Sequence, residues 1–86
     1  MSVLIRHHAA MSAAQYDESA PPLIEQLKKQ PGLLVHVSYE GPDGLVVAEV
    51  WETKEQHDTW FDANVKPNVP FEITQEVIDL HSVYTP

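Results

Sequence analysis

The chain changes period at one place. Val46, Ala48 and Val50 alternate with Leu45, Val47, Glu49 and Trp51, the two-residue repeat of a β-strand. Thr53 then precedes Gln56 in the spacing of a capping box. From there His57, Trp60, Phe61, Asn64 and Val65 recur at helical spacing, which predicts a helix over 54–65 that stops before Pro67. The same alternation predicts a first strand over 3–8, with Val3, Ile5 and His7 on one face and Leu4, Arg6 and His8 on the other. Ser12 caps a helix that carries Tyr16, Ala20, Leu23, Ile24 and Leu27 at one phase. Pro21 and Pro22 interrupt it, so two segments on one axis are expected, the second capped by Ser19. Pro31 and Gly32 end that helix.

A second strand, 33–40, meets the turn Gly41-Pro42-Asp43-Gly44. Pairing Glu40 with Leu45 aligns Tyr39 with Val46, Val37 with Ala48 and Val35 with Val50 on one face. The other face then carries Ser38 with Val47, His36 with Glu49 and Leu34 with Trp51. The first set is almost wholly apolar and is expected to pack on the helices. Residues 68–71 read as a connector. A last strand over 73–83 sets Thr74, Glu76, Ile78 and Leu80 against Val77, Asp79 and His81.

The order β-α-β-β-α-β predicts one α+β domain over 1–86 of ferredoxin-like form. Its four-stranded antiparallel sheet carries two helices on one face. The uncovered face would hold Leu4, Leu34, Val47, Trp51 and Val77, which is too much apolar surface to stay wet. It would also hold Arg6, His8, His36, Glu49, Asp79 and His81, more ionisable groups than a purely structural interface buries. A two-fold homodimer meets both conditions, with sheets paired face to face around a partly polar cavity.

Charge narrows the partners. The 86 residues carry 13 acidic and 5 basic side chains, a formal net charge of −8, which argues against nucleic acid or an anionic membrane surface. There is no cysteine for disulfide or thiolate chemistry. No apolar run nears the roughly 20 residues of a membrane span, and none follows Met1 as a leader would. A cytoplasmic protein is expected.

His36 opposite Glu49 is the sharpest chemical pair. A carboxylate fixes the imidazole tautomer and makes the ring a better general base, able to deprotonate a phenol or an activated methylene. The plainer reading is a cross-strand pair that sets register. Trp51, Trp60 and Tyr16 can stack a flat ligand, or fill core. Arg6, His8, His57 and His81 complete the expected substrate-binding set. Arg6 can also pair with Asp79, and His57 can bond a core carbonyl. Glu55, Asp58 and Asp62 read as a solvated helix face. His8, His36 and His81 come from separate strands without a local ligand spacing, so no metal is expected.

The segments Pro31-Gly32-Leu33-Leu34-Val35-His36 and Val46-Val47-Ala48-Glu49-Val50-Trp51-Glu52-Thr53, joined by a glycine-containing hairpin, carry a family resemblance. The chain resembles the dimeric α+β barrel superfamily, and most of all its antibiotic-biosynthesis monooxygenase-like group. The resemblance implies sheets paired into a dimeric α+β barrel, and an enzyme without a tightly bound cofactor acting on a small aromatic or polyketide-like molecule. Monooxygenation is one implied reaction; cyclisation and isomerisation use the same base. Trp51 matches a cavity-lining strand tryptophan of the quinone-forming members, but Val47 stands where they carry asparagine. Trp60 matches a helix tryptophan of the haem-degrading branch. Pro70 falls where that branch has its axial histidine, and Arg6-His7-His8 where it has an asparagine, so haem is not implied. The alternative is a non-catalytic homodimeric module that binds a small hydrophobic ligand or a partner protein.

Overall fold

The computed structural model describes residues 2–69 and 72–86. Strand β1 (Val3–Ala9) leads into helices α1 (Ala13–Ser19) and α2 (Pro21–Leu27). Strands β2 (Leu33–Gly41) and β3 (Gly44–Trp51) form the hairpin, followed by helix α3 (Lys54–Trp60) and strand β4 (Ile73–Asp79). The four strands form one antiparallel sheet in the order β2-β3-β1-β4, the ferredoxin-like arrangement. Pro70 and Phe71, within the expected connector, lie outside the described residues. No helix among the described residues is long and apolar enough to cross a membrane.

Local chemistry sets most element ends. Ser12 accepts from the Gln15 N–H at 3.2 Å while the Gln15 side chain accepts from the Ser12 N–H at 2.8 Å, a complete capping box. Thr53 accepts from the Gln56 N–H in the same way, but its hydroxyl donates to Gln56 Oε1, so the reciprocal bond to backbone is replaced. Ser19 does not cap α2. Its hydroxyl donates to the Gln15 carbonyl, and Ala20 stays right-handed helical between the two segments. The proline pair opens α2, where missing N–H groups cost little, so the axis continues as expected.

The helical run after α3 does not stop before Pro67. It widens into a π-helical turn (Phe61–Val65) and closes in a 3-10 turn (Lys66–Asn68), with Pro67 near the start of that new turn. Strand β4 is shorter than expected because Val3, the first residue of β1, pairs with Asp79; beyond it the Leu80 N–H reaches the Ser2 carbonyl, at 2.9 Å.

The hairpin register holds from Glu40↔Leu45 through His36↔Glu49 to Val35↔Val50. A bulge at Leu34 then moves the last pair, so Leu33, not Leu34, stands opposite Trp51. The faces are the reverse of those expected for this hairpin. Pairing of β1 with β3 sets Val3 beside Trp51, Ile5 beside Glu49 and His7 beside Val47, all on the side the helices cover. Bulk explains the choice: Trp51 and Ile5 are wholly buried there with Val3, Leu27 and Trp60, while the smaller Val46, Ala48 and Val50 take the other face. The open face therefore shows Val35, Val37, Tyr39 and Ile78, each about 41–48% exposed.

The hairpin depends on Gly44, whose φ of +130° excludes ordinary side chains and whose added Cβ would stand 2.8 Å from the Ala9 carbonyl oxygen. Gly44→Ala is expected to cost about 1–3 kcal/mol, measured by urea unfolding; an unchanged midpoint would contradict this account of the turn.

Candidate active site

A buried carboxylate organises the helix-covered face. Glu49 sits on central strand β3, 4% exposed, between Ile5 on β1 and His36 on β2. Trp51 Nε1–H, which can only donate, reaches Glu49 Oε1 at 3.0 Å from two residues along the same face. His36 Nδ1 lies 2.8 Å from Glu49 Oε2, so that nitrogen carries a proton and donates it. Burial by itself raises the Glu49 pKa. The bonds from His36 and Trp51, with the nearby His7 and His36 charges, more than reverse that, and the carboxyl ends below its usual range.

With Nδ1 protonated, the neutral His36 ring presents a lone pair at Nε2. The Tyr16 hydroxyl stands 2.8 Å from it and donates. Tyr16 is on α1, where Ser12 begins the helix and the Tyr16 carbonyl ties α1 to α2 through the Ala20 N–H at 2.8 Å. Burial raises the Tyr16 pKa, and the negative charges of Glu49 and Asp17 add to it, so the ring rests as a neutral phenol. Trp51, Glu49, His36 and Tyr16 thus form one directional chain of hydrogen bonds. A proton accepted at the Tyr16 oxygen can be passed on to His36 as Tyr16 gives up its own. Glu49 then stabilises the imidazolium.

This chain opens on a cavity of about 130 Å³ between sheet and helices. His7, Tyr16, Ser19, His36 and Glu49 are the polar residues of its lining; Leu23, Leu27, Leu45, Trp60, Phe61 and Val65 are among its apolar walls. The π-helical turn presents Phe61 and Val65 to this space.

A second buried group adjoins it. His7 Nε2 and His57 Nε2 stand 2.9 Å apart. His7 Nδ1 faces the Val47 carbonyl at 3.3 Å, and His57 Nδ1 faces Asp58 Oδ1 at 2.9 Å. Asp58 is therefore a partner of His57 and, at 2.6 Å, of Lys54, not part of a freely solvated face. Desolvation lowers the His7 pKa; Glu49 opposes this and His57 reinforces it.

Of the residues expected at a ligand site, the structure brings His36, Glu49 and Trp60 to the cavity wall. Trp51 lies wholly buried and reaches the site through Glu49. His57 is also wholly buried and touches His7. Arg6 and His8 are on the opposite face of the sheet. There Arg6 Nη2 donates to the Tyr39 hydroxyl at 3.0 Å and His8 meets Glu76 at 2.7 Å. Arg6 faces Glu76, its direct cross-strand neighbour, while the expected partner Asp79 is paired with Val3. His81 is exposed beyond the end of β4. Tyr16 also reaches the cavity wall, where the sequence predicts it only as a stacking ring; its bond to His36 and the His7–His57 contact have no mark along the chain. Alternation and helical phase placed Tyr16 and His7 on inward faces, but nothing local paired either with its partner.

No protein-family model and no curated protein matches the chain. Solved structures do. A monooxygenase of Streptomyces coelicolor in complex with nanaomycin D superposes with a TM-score of 0.64 at 14% identity, covering 99% of this chain and 91% of that one. A candidate antibiotic biosynthesis monooxygenase from Deinococcus radiodurans gives 0.62 at 15% identity, covering 100% and 98%. The chain has the fold of the antibiotic-biosynthesis monooxygenases. A haem-degrading protein of Mycobacterium tuberculosis shares it, with a TM-score of 0.57 at 17% identity over 100% of this chain and 98% of that one. The superpositions show a shared fold and leave the chemistry to the residues of the site.

The buried phenol generates a prediction. Of the three tyrosines, one is expected to ionise above the ordinary value of 10.0, and Tyr16→Phe should remove that component from the phenolate absorbance titration. A raised folded-state pKa stabilises fully below pH 10 and loses that contribution as pH rises through the raised value. Alkaline unfolding should therefore be less steep in Tyr16→Phe; identical profiles would contradict the geometry.

Proposed function

We propose that this chain is a monooxygenase-like enzyme that removes a proton from a small aromatic or polyketide-like substrate. The observation that carries the reading is the hydrogen-bond chain Trp51–Glu49–His36–Tyr16 ending at an apolar cavity. A substrate phenol or activated C–H in that cavity hands its proton to the Tyr16 oxygen while Tyr16 gives its own to His36 Nε2. His36 becomes an imidazolium, Glu49 stays ionised, and the substrate is left as a phenolate or carbanion. The relay itself needs no cofactor. The anion can then meet oxygen, as in a monooxygenase, or cyclise or isomerise.

Cavity size limits the substrate. An engineered apolar cavity of about 150 Å³ takes one benzene ring, and drug-sized ligands occupy about 300 Å³ or more. At about 130 Å³ the space suits a single ring, or one end of a longer molecule. The hydrogen bonds at both His36 nitrogens favour an enzyme over a passive binding module, because a binder gains nothing from a base oriented in this way.

The same reading pairs two chains as a homodimer through the open sheet face. Val35, Val37 and Tyr39 on β2, and Ile78 on β4 at the other edge, expose apolar side chains there, and burying them against a second copy would remove them from water.

Two measurements test these statements. With a panel of monocyclic phenols and quinols, His36→Ala and Tyr16→Phe are each expected to lower kcat about 10²–10⁴-fold, the usual contribution of a positioned acid or base. Undiminished turnover in either variant would remove that residue from the mechanism. Val37→Glu, on the open face, is expected to convert a dimer to a monomer in sedimentation equilibrium; a parent protein that sediments as a monomer would end the pairing reading.

A further inference from the structure

The His7–His57 contact is an unusual way to bury two imidazoles. Both rings point Nε2 at the same spot, 2.9 Å apart, with His57 wholly buried and His7 nearly so. Both spend Nδ1 on an outward partner: the Val47 carbonyl for His7, the Asp58 carboxylate for His57. A carbonyl and a carboxylate both accept, so each Nδ1 carries a proton. Two neutral rings in that state bring two lone pairs face to face. The clash is relieved by a third proton, by His7 carrying its proton on Nε2 at the expense of the long 3.3 Å contact to Val47, or by a cation bound beside the two nitrogens.

Three observations favour a cation. The first is the donor set. A Glu49 carboxylate oxygen joins one ring nitrogen of each histidine, the three candidate ligand atoms lying within 4.8 Å of one another. Two imidazoles and one carboxylate suit Zn²⁺, Fe²⁺ and their neighbours, whereas Ca²⁺ and Mg²⁺ take oxygen ligands. The second is spacing. Metal–nitrogen bonds of about 2.0–2.1 Å, set at tetrahedral to octahedral angles, hold their nitrogens roughly 3.0–3.4 Å apart. The Nε2 pair is already near that separation. The third is the outer shell. Metal-bound histidines donate their other N–H to a carboxylate or a backbone carbonyl, and His57 and His7 have one of each. Lys54, 2.6 Å from Asp58, holds that carboxylate in turn.

We propose that His7, His57 and Glu49 form a binding site for one divalent first-row transition-metal ion in the wall of the cavity. Glu49 has lone pairs to spare, since an ionised carboxylate offers about four acceptor positions and His36 and Trp51 use two. To complete the site its oxygen must close on the nitrogens by about 1–2 Å to reach ordinary ligand spacing. His7 and Glu49 line the cavity, so an ion held there borders the space where a substrate binds. This departs from the metal-free expectation, because the ligands lie 50 residues apart in His7 and His57 and show no spacing motif.

The test is a titration of the metal-free protein with Co²⁺, followed by visible absorption, and with Zn²⁺, followed by equilibrium dialysis. One ion per chain is expected. His57→Gln should weaken binding at least about tenfold, and Asp58→Asn about 10–100-fold, the usual effect of losing an outer-shell partner. His8→Ala and His81→Ala, which remove exposed imidazoles, should leave it unchanged. Circular dichroism establishes that each variant is folded. For the parent chain, imidazole ¹⁵N spectra on adding Zn²⁺ should move both Nε2 signals and keep both Nδ1 protons. Absence of stoichiometric binding, equal binding by a folded His57→Gln, or coordination at exposed His8 or His81 would overturn the site and leave a proton-sharing histidine pair. The result is separable from the proton relay: Tyr16→Phe is expected to lose turnover and still bind the ion.

Discussion

A buried carboxylate must be answered by donors, and Glu49 sets that demand at the centre of the sheet. Trp51 and His36 answer it at 3.0 and 2.8 Å. Each answer has a consequence. The indole is drawn to full burial beside the helices, adding bulk to the covered face. The imidazole is held in one tautomer, which leaves Nε2 free to accept from Tyr16. Structure and chemistry therefore share one group, and neither the packing of Trp51 nor the orientation of His36 is independent of the Glu49 charge.

The sheet uses its two faces differently. The helix-covered face combines the largest side chains with nearly all the buried polar ones, and retains a cavity of about 130 Å³ between them. The open face is β-branched and apolar around a small polar group of Arg6, Tyr39, Glu76 and His8. The hydrogen-bonded polar chain on one side and the exposed apolar residues on the other can change separately. The cavity between sheet and helices is lined within one chain.

Much of this was legible along the chain. Strand alternation, the capping spacings at Ser12 and Thr53, and the turn at 41–44 defined six elements of the ferredoxin-like order, because each rests on residues within a few positions of one another. They also aligned His36 with Glu49, since a hairpin register follows from its turn. The bulge at Leu34 leaves no local mark, because apolar residues stand on both sides of it.

Local pattern could not choose the face. Leu45, Val47 and Trp51 on one side and Val46, Ala48 and Val50 on the other are both apolar, and alternation is symmetric between them. The pairing of β1 with β3 broke the symmetry, because it set Ile5 beside Glu49 and so turned His36 toward Tyr16. The cavity, the Tyr16–His36 contact and the meeting of His7 with His57 all follow from that non-local choice. Sequence thus determined the elements, the hairpin register and the acidic, cysteine-free character of the chain. Packing of helices on the sheet decided which polar groups converge, since burial is a property of volumes that meet in space and not of positions along a chain.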